Sequence, residues 1–281
     1  MIGRILRGKL TLVLGPPGSG KTLFLKALCG RVRSGGKCKL EGSVTYNGES
    51  ADSGRFLLPK FIDYVEQKDS HASTLTVAET MEFAWKCTTG GHHSYAIAKN
   101  DETARLLDEG DDVLRKMNNV LSIIGLDGCR DTIVGDAMIR GVSGGQKRRV
   151  TMGEMIISPK PIKFMDSVSN GLDSATTFDI MRATKNVADS LQSTFIVALL
   201  QPPPETFNLF DEIILLSEGQ IIYHGARERV VEYFKSIGYE LPEFLDVADF
   251  LQELPTKEGE RFVNTSFRYM PSANNLAIRC I

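Results

Sequence analysis

Three short segments carry residue types whose spacing suits chemistry on a phosphorylated ligand. The first is Gly15-Pro16-Pro17-Gly18-Ser19-Gly20-Lys21-Thr22, which fits the pattern G-x-x-x-x-G-K-[ST] of a phosphate-binding loop. Its glycines let the backbone curl into a nest of N–H groups, and the helix that follows turns its positive end toward the same anion. Lys21 adds a point charge, and the Thr22 hydroxyl is placed to ligate Mg2+. Pro16 and Pro17 have no N–H to offer and belong where none is needed. The second segment, Ile162-Lys163-Phe164-Met165-Asp166, is an apolar strand ending in an acid. Behind a phosphate loop, such an acid holds Mg2+, usually through water. The third is Val142-Ser143-Gly144-Gly145-Gln146, a Ser and two glycines opening a helix. It reads either as an ordinary Ser cap or as a second anion site. Two phosphate-binding helix ends in one chain suggest two half-sites, each completed by a partner.

These residues need elements to hold them. Leu10–Leu14 reads as a buried strand feeding the loop, with a helix from Lys21 to about Cys29. Gly42–Gly48 reads as a strand ending in an Asn-Gly turn, and Phe61–Val65 as another strand. The middle is helical. Thr76–Cys87 opens with Thr76 and Glu79 in capping-box spacing, and a second helix is expected over about 101–124, weakened at Gly110. From Ser143 the pattern alternates again: a helix to Ile157, a strand at Ile162–Met165, a helix at Ser174–Ser190 and a strand at Thr194–Leu200. Strands at Glu212–Leu216 and Gln220–Tyr223 and a helix at Arg227–Lys235 follow. Strand–helix alternation at both ends with a helical insert predicts an α/β sheet carrying a helical subdomain. The residues from about Arg268 onward are polar, without pattern, and expected to be disordered.

Composition sets outer bounds. The 281 residues include 42% hydrophobic and 24% charged residues, ordinary for a globular chain with a sizeable core. A formal net charge of −2 provides no field for nucleic acid or an anionic membrane. Cys29, Cys38, Cys87, Cys129 and Cys280 are scattered without CxxC spacing and read as reduced thiols. His92 and His93 lack ligand-spaced partners and read as a solvated loop. No apolar run reaches the roughly 18–20 residues of a membrane helix. Met1-Ile2-Gly3-Arg4 leads directly into a strand, which reads as no signal peptide, so any spanning segment is expected elsewhere.

Phosphate loop, Ser143–Gln146 and Asp166 together resemble an ATP-binding cassette (ABC) nucleotide-binding domain, with Ser143–Gln146 similar to its signature sequence. Tyr64-Val65-Glu66-Gln67 resembles the Q-loop, whose Gln reaches Mg2+ and couples the core to the helical insert. Ser169-Asn170-Gly171-Leu172-Asp173 resembles the D-loop, which crosses the dimer interface. Leu200-Gln201-Pro202-Pro203, Phe207-Asn208-Leu209-Phe210-Asp211, Tyr223-His224-Gly225 and Val247-Ala248-Asp249-Phe250 resemble the G subfamily, as does the run from Gly135 to Gly145. More narrowly, they resemble the N-terminal cassette of full-size pleiotropic-drug-resistance transporters. The resemblance covers about residues 8–255.

The resemblance implies a RecA-like P-loop NTPase core with a helical subdomain near 70–158. It divides the chain into a nucleotide-binding domain at 1–225 and a helical extension at 226–281 directed toward a missing transmembrane domain. It implies ATP and Mg2+ as ligands and a second cassette plus a transmembrane domain as partners, with no nucleic acid. It places the chain at the cytoplasmic face of a membrane, touching that membrane only through its transmembrane partner. The isolated chain is expected to be soluble.

Two departures bear on chemistry. Where the family places a catalytic Glu after the metal-strand Asp, this chain has Ser167, and where it places a switch His, it has Leu200. A hydroxyl cannot keep a proton taken from water at pH 7, so base catalysis of roughly 10²–10⁴-fold is expected to be missing. His224 lies in a later return strand and reads as a strand-end surface residue. The expectation is a cassette that binds Mg-ATP, turns over slowly or not at all at its own site, and lends an intact signature to its partner's. A competent ATPase in which Gln67 orients water, and a cassette outside transport, stay open as alternatives. Only fourteen residues precede Gly15, where the family has a further strand region near the adenine, so a truncated chain or incomplete gene product is expected and adenine contacts stay unassigned.

Overall fold

The computed structural model describes residues 3–32, 42–51, 53–54, 57–89 and 110–263. The expectations for Cys38, His92, His93, Cys280, residues 101–109 and the tail from Arg268 fall outside them. Within them, Cys29, Cys87 and Cys129 are free thiols.

Among the described residues eight strands form: β1 (Leu10–Leu14), β2 (Thr45–Tyr46), β3 (Glu49–Ser50), β4 (Ile62–Val65), β5 (Ile162–Asp166), β6 (Thr194–Ala198), β7 (Glu212–Ser217) and β8 (Gln220–Ala226). Six build one sheet in the order β4-β5-β6-β1-β7-β8. The first five run parallel and β8 returns antiparallel to β7. That return is a two-residue turn, Glu218-Gly219, with φ of 47° and 76°. Two positive φ angles match the right-handed twist of the flanking strands. Asn47-Gly48 turns the same way, at φ 50° and 85°, between β2 and β3. The strand expected over 42–48 is thus only Thr45–Tyr46, half of a separate two-stranded hairpin.

A sheet covered on both faces makes its central strands continuously apolar. In β1 all five residues are buried. Leu10, Leu12 and Leu14 join one core, and Val13 joins the other, as the period of two requires. Each fully buried Leu or Val contributes about 1.5–3 kcal/mol. Helix α1 (Lys21–Leu28) covers the Val13 face through Leu25, beside a short α2 (Leu58–Phe61). On the other face lie α3 (Val77–Thr89), α4 (Gly110–Ile123), α5 (Gly144–Ile157) and α6 (Ser174–Leu191).

Helices α3, α4 and α5 pack against one another through Met81, Trp85, Met117, Leu121, Val150 and Met152. Gly153 permits their close approach: a Cβ there would lie 2.5 Å from Met81 Cε and 2.7 Å from Ile124 Cδ1. The expected capping box of α3 is present, with Thr76 N donating to Glu79 Oε2 at 2.8 Å and Glu79 N donating to Thr76 Oγ1 at 3.2 Å. Beyond β6 the chain adds α7 (Pro204–Phe207), α8 (Val230–Ser236) and α9 (Val247–Glu253). Phe234 and Phe250 meet edge to face at 6.4 Å between centroids, tying α8 to α9.

Several boundaries differ from those expected. β6 ends at Ala198, and Leu200 is 40% exposed rather than buried in the strand. Gln201 takes a positive φ of 43°, so the chain turns out of the sheet there. Residues 227–229 form a 3-10 turn before α8. β8 runs to Ala226 instead of stopping at Tyr223, which corrects the reading of His224: it lies inside the strand and is only 8% exposed. Gly3 rests on its ring, where a Cβ would come within 2.6 Å of Nδ1. Burial holds the His224 pKa below the ordinary imidazole range.

Candidate nucleotide site

Parallel strands deliver their following loops to one edge, and the register decides which loops meet. Val13 and Asp166 both pair with Ala198, and Val65 pairs with Met165. The loop after β1, Asp166 at the end of β5, and Gln67 two residues past β4 therefore emerge together. Carboxyl ends of parallel strands are where α/β sheets bind ligands.

The phosphate loop is built on left-handed glycines. Gly15, Gly18 and Gly20 have φ of 150°, 80° and 96°. Gly15 has no room for a side chain, since a Cβ would come within 2.3 Å of Leu216 O and 2.6 Å of Ser19 Oγ. Ser19 N donates to Pro16 O at 3.1 Å, and Gly219 N donates to Ser19 O at 3.0 Å, which fastens the loop to the β7–β8 turn. Gly20 is the N-cap of α1 and supplies no side-chain cap, so the first N–H groups of that helix keep no side-chain acceptor at its N-cap. Lys21 folds back, Nζ donating to Gly15 O at 2.6 Å and Pro16 O at 3.1 Å. Burial lowers its pKa, against the pull of the Asp166 charge.

Gln67 is the junction of the metal-type residues. Its Nε2 lies 3.2 Å from Thr22 Oγ1, 3.3 Å from Ser167 Oγ and 3.5 Å from Asp166 Oδ1. Asp166 is 1% exposed. Its Oδ1 accepts from Ser167 Oγ at 3.3 Å, and its Oδ2 accepts from the Tyr64 hydroxyl at 3.0 Å. Tyr64 was missed by sequence reasoning. The available signal was a hydroxyl-bearing residue on β4, paired with Phe164 and so two positions, on the same face, from the strand-end Asp166. Burial and then the Asp166 charge push the Tyr64 pKa up, so it stays a neutral donor. Ser167 has φ 51°, a left-handed conformation rarely adopted by a residue with a Cβ. Its N donates to Ala198 O at 3.0 Å, extending the β5–β6 ladder.

These residues fit a nucleotide with Mg2+. The Ser19 hydroxyl oxygen is buried without a partner inside the loop, and unpaired buried polar atoms are rare. A hydroxyl, one carboxylate and one amide suit Mg2+, which takes few protein ligands beside phosphate and water. Among the described residues no cluster of three or more His, Cys, Asp or Glu is poised for a metal. At the position after Asp166 the chain carries a hydroxyl, not a carboxylate. Ser167 Oγ donates to one neighbour and accepts from another, and Leu200 has no polar group.

The other expected residues have no hydrogen bond to this cluster. Ser143 caps α5, Ser143 N donating to Gln146 Oε1 at 2.8 Å and Gln146 N donating to Ser143 Oγ at 3.2 Å. A Cβ on Gly144 would meet nothing within 4 Å, and one on Gly145 only Leu172 Cδ2 at 3.7 Å. Nothing among the described residues demands glycine at either. Asp173 caps α6 by accepting from Thr176 N at 3.3 Å, and Thr176 holds its carboxyl below the usual range.

Comparison with known proteins bears on the family and the fold. Residues 3–170 match the family described as ABC transporter, and residues 200–278 match the family described as ABC-2 type transporter. Among the described residues, no helix is long and apolar enough to cross a membrane. ABC transporter G family member 47 of Oryza sativa subsp. japonica is 44% identical over 279 residues, covering 94% of this chain and 20% of the relative. ABC transporter G family member 36 of Arabidopsis thaliana is 42% identical over 289 residues, covering 96% of this chain and 19% of the relative. The chain thus spans about a fifth of the length of these curated relatives. Among solved structures, CbiO1 of Clostridium perfringens, described as part of the ABC transporter complex CbiONQ, aligns with a TM-score of 0.61 at 20% identity, covering 84% of each chain. An ATP-binding subunit of an ABC transporter aligns with a TM-score of 0.61 at 15% identity, over 83% of this chain and 85% of that one. That likeness shows the fold, an α/β RecA-like P-loop sheet. With the family match over residues 3–170 and relatives from the G family, the chain belongs to the ABC transporter family.

Proposed function

We propose that this chain is the ATP-binding cassette of a G-family transporter, binding Mg-ATP on its own phosphate loop and pairing with a second cassette to drive export through transmembrane segments. The observation that carries the reading is the Gln67 amide, which meets Thr22, Asp166 and Ser167 at once. When bound, Mg-ATP supplies the γ-phosphate to be transferred and the cation that offsets its charge. The glycine-built loop and Lys21 would hold phosphate, while Thr22, Asp166 and Gln67 would hold the metal. Tyr64 fixes the second oxygen of Asp166. Neither Ser167 nor Leu200 takes a proton from water or steadies a leaving phosphate, so this site binds more than it turns over.

The Ser143–Gln146 end of α5 is proposed to serve the second cassette's nucleotide. Support comes from Gly144 and Gly145, whose small size answers no need among the described residues and suits a phosphate approaching from outside. Asp173 is proposed to lie at the same interface. We assign residues 1–225 to the nucleotide-binding domain, with 70–158 as its helical subdomain, and 226–281 to a link toward the transmembrane part. The chain then works at the cytoplasmic face of a membrane.

Calorimetric binding of Mg-ATP to the native chain and to Lys21→Ala tests the reading. Binding is expected in the first and absent in the second; unchanged binding in the variant overturns it. A second reading, a competent ATPase, draws on the 3.3 Å contact of Gln67 with Ser167. There Gln67 orients the attacking water, and a steady turnover near or above about 1 s⁻¹ favours it.

A further inference from the structure

Ser143–Gln146 is followed by Lys147, Arg148 and Arg149 on α5. Three consecutive cations on a helix ordinarily form a solvated face, yet Arg148 is 2% exposed. Its guanidinium reaches two separate segments. Nε donates to Val168 O at 3.1 Å and Nη2 to Ser167 O at 3.4 Å. Nη1 donates to Glu66 O at 3.1 Å and to Asp69 Oδ1 at 2.6 Å.

Those acceptors are placed tellingly. Glu66 adjoins Gln67, and Ser167 adjoins Asp166, so the two loops whose side chains meet at the metal-type cluster are both held by one side chain. That side chain sits one turn inside the helix whose first residues form the signature-like end. Three of its four acceptors are backbone carbonyls, so the contact fixes positions more than it balances charge. A planar fork with five donors can do this, whereas an ammonium cannot span it. The next turns of α5 reinforce one side only: Thr151 Oγ1 donates to Asp69 Oδ1 at 2.6 Å and lies 2.9 Å from His71 Nε2. His71 Nδ1 is 3.5 Å from Glu154 Oε2. Among the described residues, no other side chain of α5 hydrogen-bonds to residues 166–168.

We infer that Arg148 is a positioning residue linking the chain's own phosphate site to the placement of the Ser143–Gln146 end, so that nucleotide on this site sets the signature offered to the second cassette. This rests on the ATP-binding reading above. A shift of Gln67 or Asp166 toward a bound nucleotide moves the carbonyls of Glu66 and Ser167, and the guanidinium carries that movement into the first turns of α5.

The test is amide hydrogen exchange of the full chain with and without Mg-ATP, in the native protein, Arg148→Met and Arg148→Lys, beside calorimetric affinities. In the native chain Mg-ATP is expected to slow exchange about tenfold in residues 15–22 and in residues 143–149. In Arg148→Met, at Mg-ATP concentrations that saturate the variant by its own calorimetric affinity, residues 15–22 still respond, while the response of 143–149 disappears. Arg148→Lys keeps the buried charge beside Asp69 but loses the fork, and is expected to lose the 143–149 response as well. It decides the matter should the Met variant fail to fold. A native-sized response of 143–149 in the folded variants overturns the inference, as does a native chain that binds Mg-ATP with no response there. A native chain that binds no Mg-ATP overturns the ATP-binding reading itself.

Discussion

Gln67 Nε2 stands 3.3 Å from Ser167 Oγ, and Ser167 Oγ stands 3.3 Å from Asp166 Oδ1. The position proposed above for the general base is thus bonded to Gln67 and Asp166 and holds a hydroxyl. Ser167→Glu restores a carboxylate there, and the left-handed φ of 51° burdens Glu no more than Ser, since both carry a Cβ. Phosphate release from Mg-ATP is expected to rise by about 10²–10⁴-fold over the native chain at equal protein concentration. Equal rates would mean that another group activates the water.

The Ser143 cap gives a stability prediction independent of nucleotide. Ser143→Ala removes the acceptor for Gln146 N and one half of the capping box. The expected loss is about 1 kcal/mol, seen as a lower denaturant midpoint with an unchanged slope. Ser143→Asn keeps a cap and is expected to lose much less.

The parts of this site legible in sequence were those with a local signal. The phosphate loop, the Thr76–Glu79 capping box, the Ser143 cap and the acid ending β5 each follow from neighbours within a few residues. What sequence could not reveal came from strand register and packing across the chain. Arg148 stands in a cationic run that looks solvated, and only the approach of residues 66–69 and 167–168, far apart in sequence, buries it. Tyr64 gains its bond to Asp166 only because β4 pairs with β5. His224 looked exposed because the N-terminal segment that covers it lies more than 200 residues away in sequence.

Two glycines separate backbone crowding from side-chain crowding. A Cβ on Gly141 would lie 2.3 Å from Val134 O and 2.6 Å from Gly135 N. Backbone cannot step aside without breaking the loop that precedes Ser143. A Cβ on Gly153 would meet Met81 Cε, Met81 Sδ and Ile124 Cδ1 at 2.5–2.8 Å, all at flexible side-chain ends. Gly153→Ala is expected to cost at most about 2 kcal/mol, because overpacking is partly offset by alanine's helix preference. Gly141→Ala is expected to cost about 4 kcal/mol or more, in the range reserved for severe disruptions. Thermal melts of the two variants side by side check the order; a milder effect at Gly141 would show that its loop yields.

Asp211 supplies a prediction about pH. Its Oδ2 accepts from Leu10 N at 2.9 Å, at the start of β1, and both its oxygens accept from Lys185 Nζ at 2.8 Å. Burial opposes ionisation, but Lys185 and the Leu10 N–H outweigh it and hold the carboxyl below its ordinary value of 3.8. A carboxyl depressed by folding adds stability above its unfolded pKa and loses it as pH falls through the folded one. Lys185 is shifted oppositely: burial disfavours its charge, yet Asp211 and Asp189 raise it above 10.5. Its contribution is full below that value and fades as pH rises through the folded pKa. Asp211→Asn keeps an acceptor for Leu10 N but discards the charge. The variant is expected to be about 1–3 kcal/mol less stable than the native chain at pH 7. The gap should close as pH falls below 3.8, where the native carboxyl is itself being neutralised. Urea unfolding of both proteins at pH 7 and near pH 2.5 checks this, and an equal gap at the two values would rule out the Asp211 charge as its source.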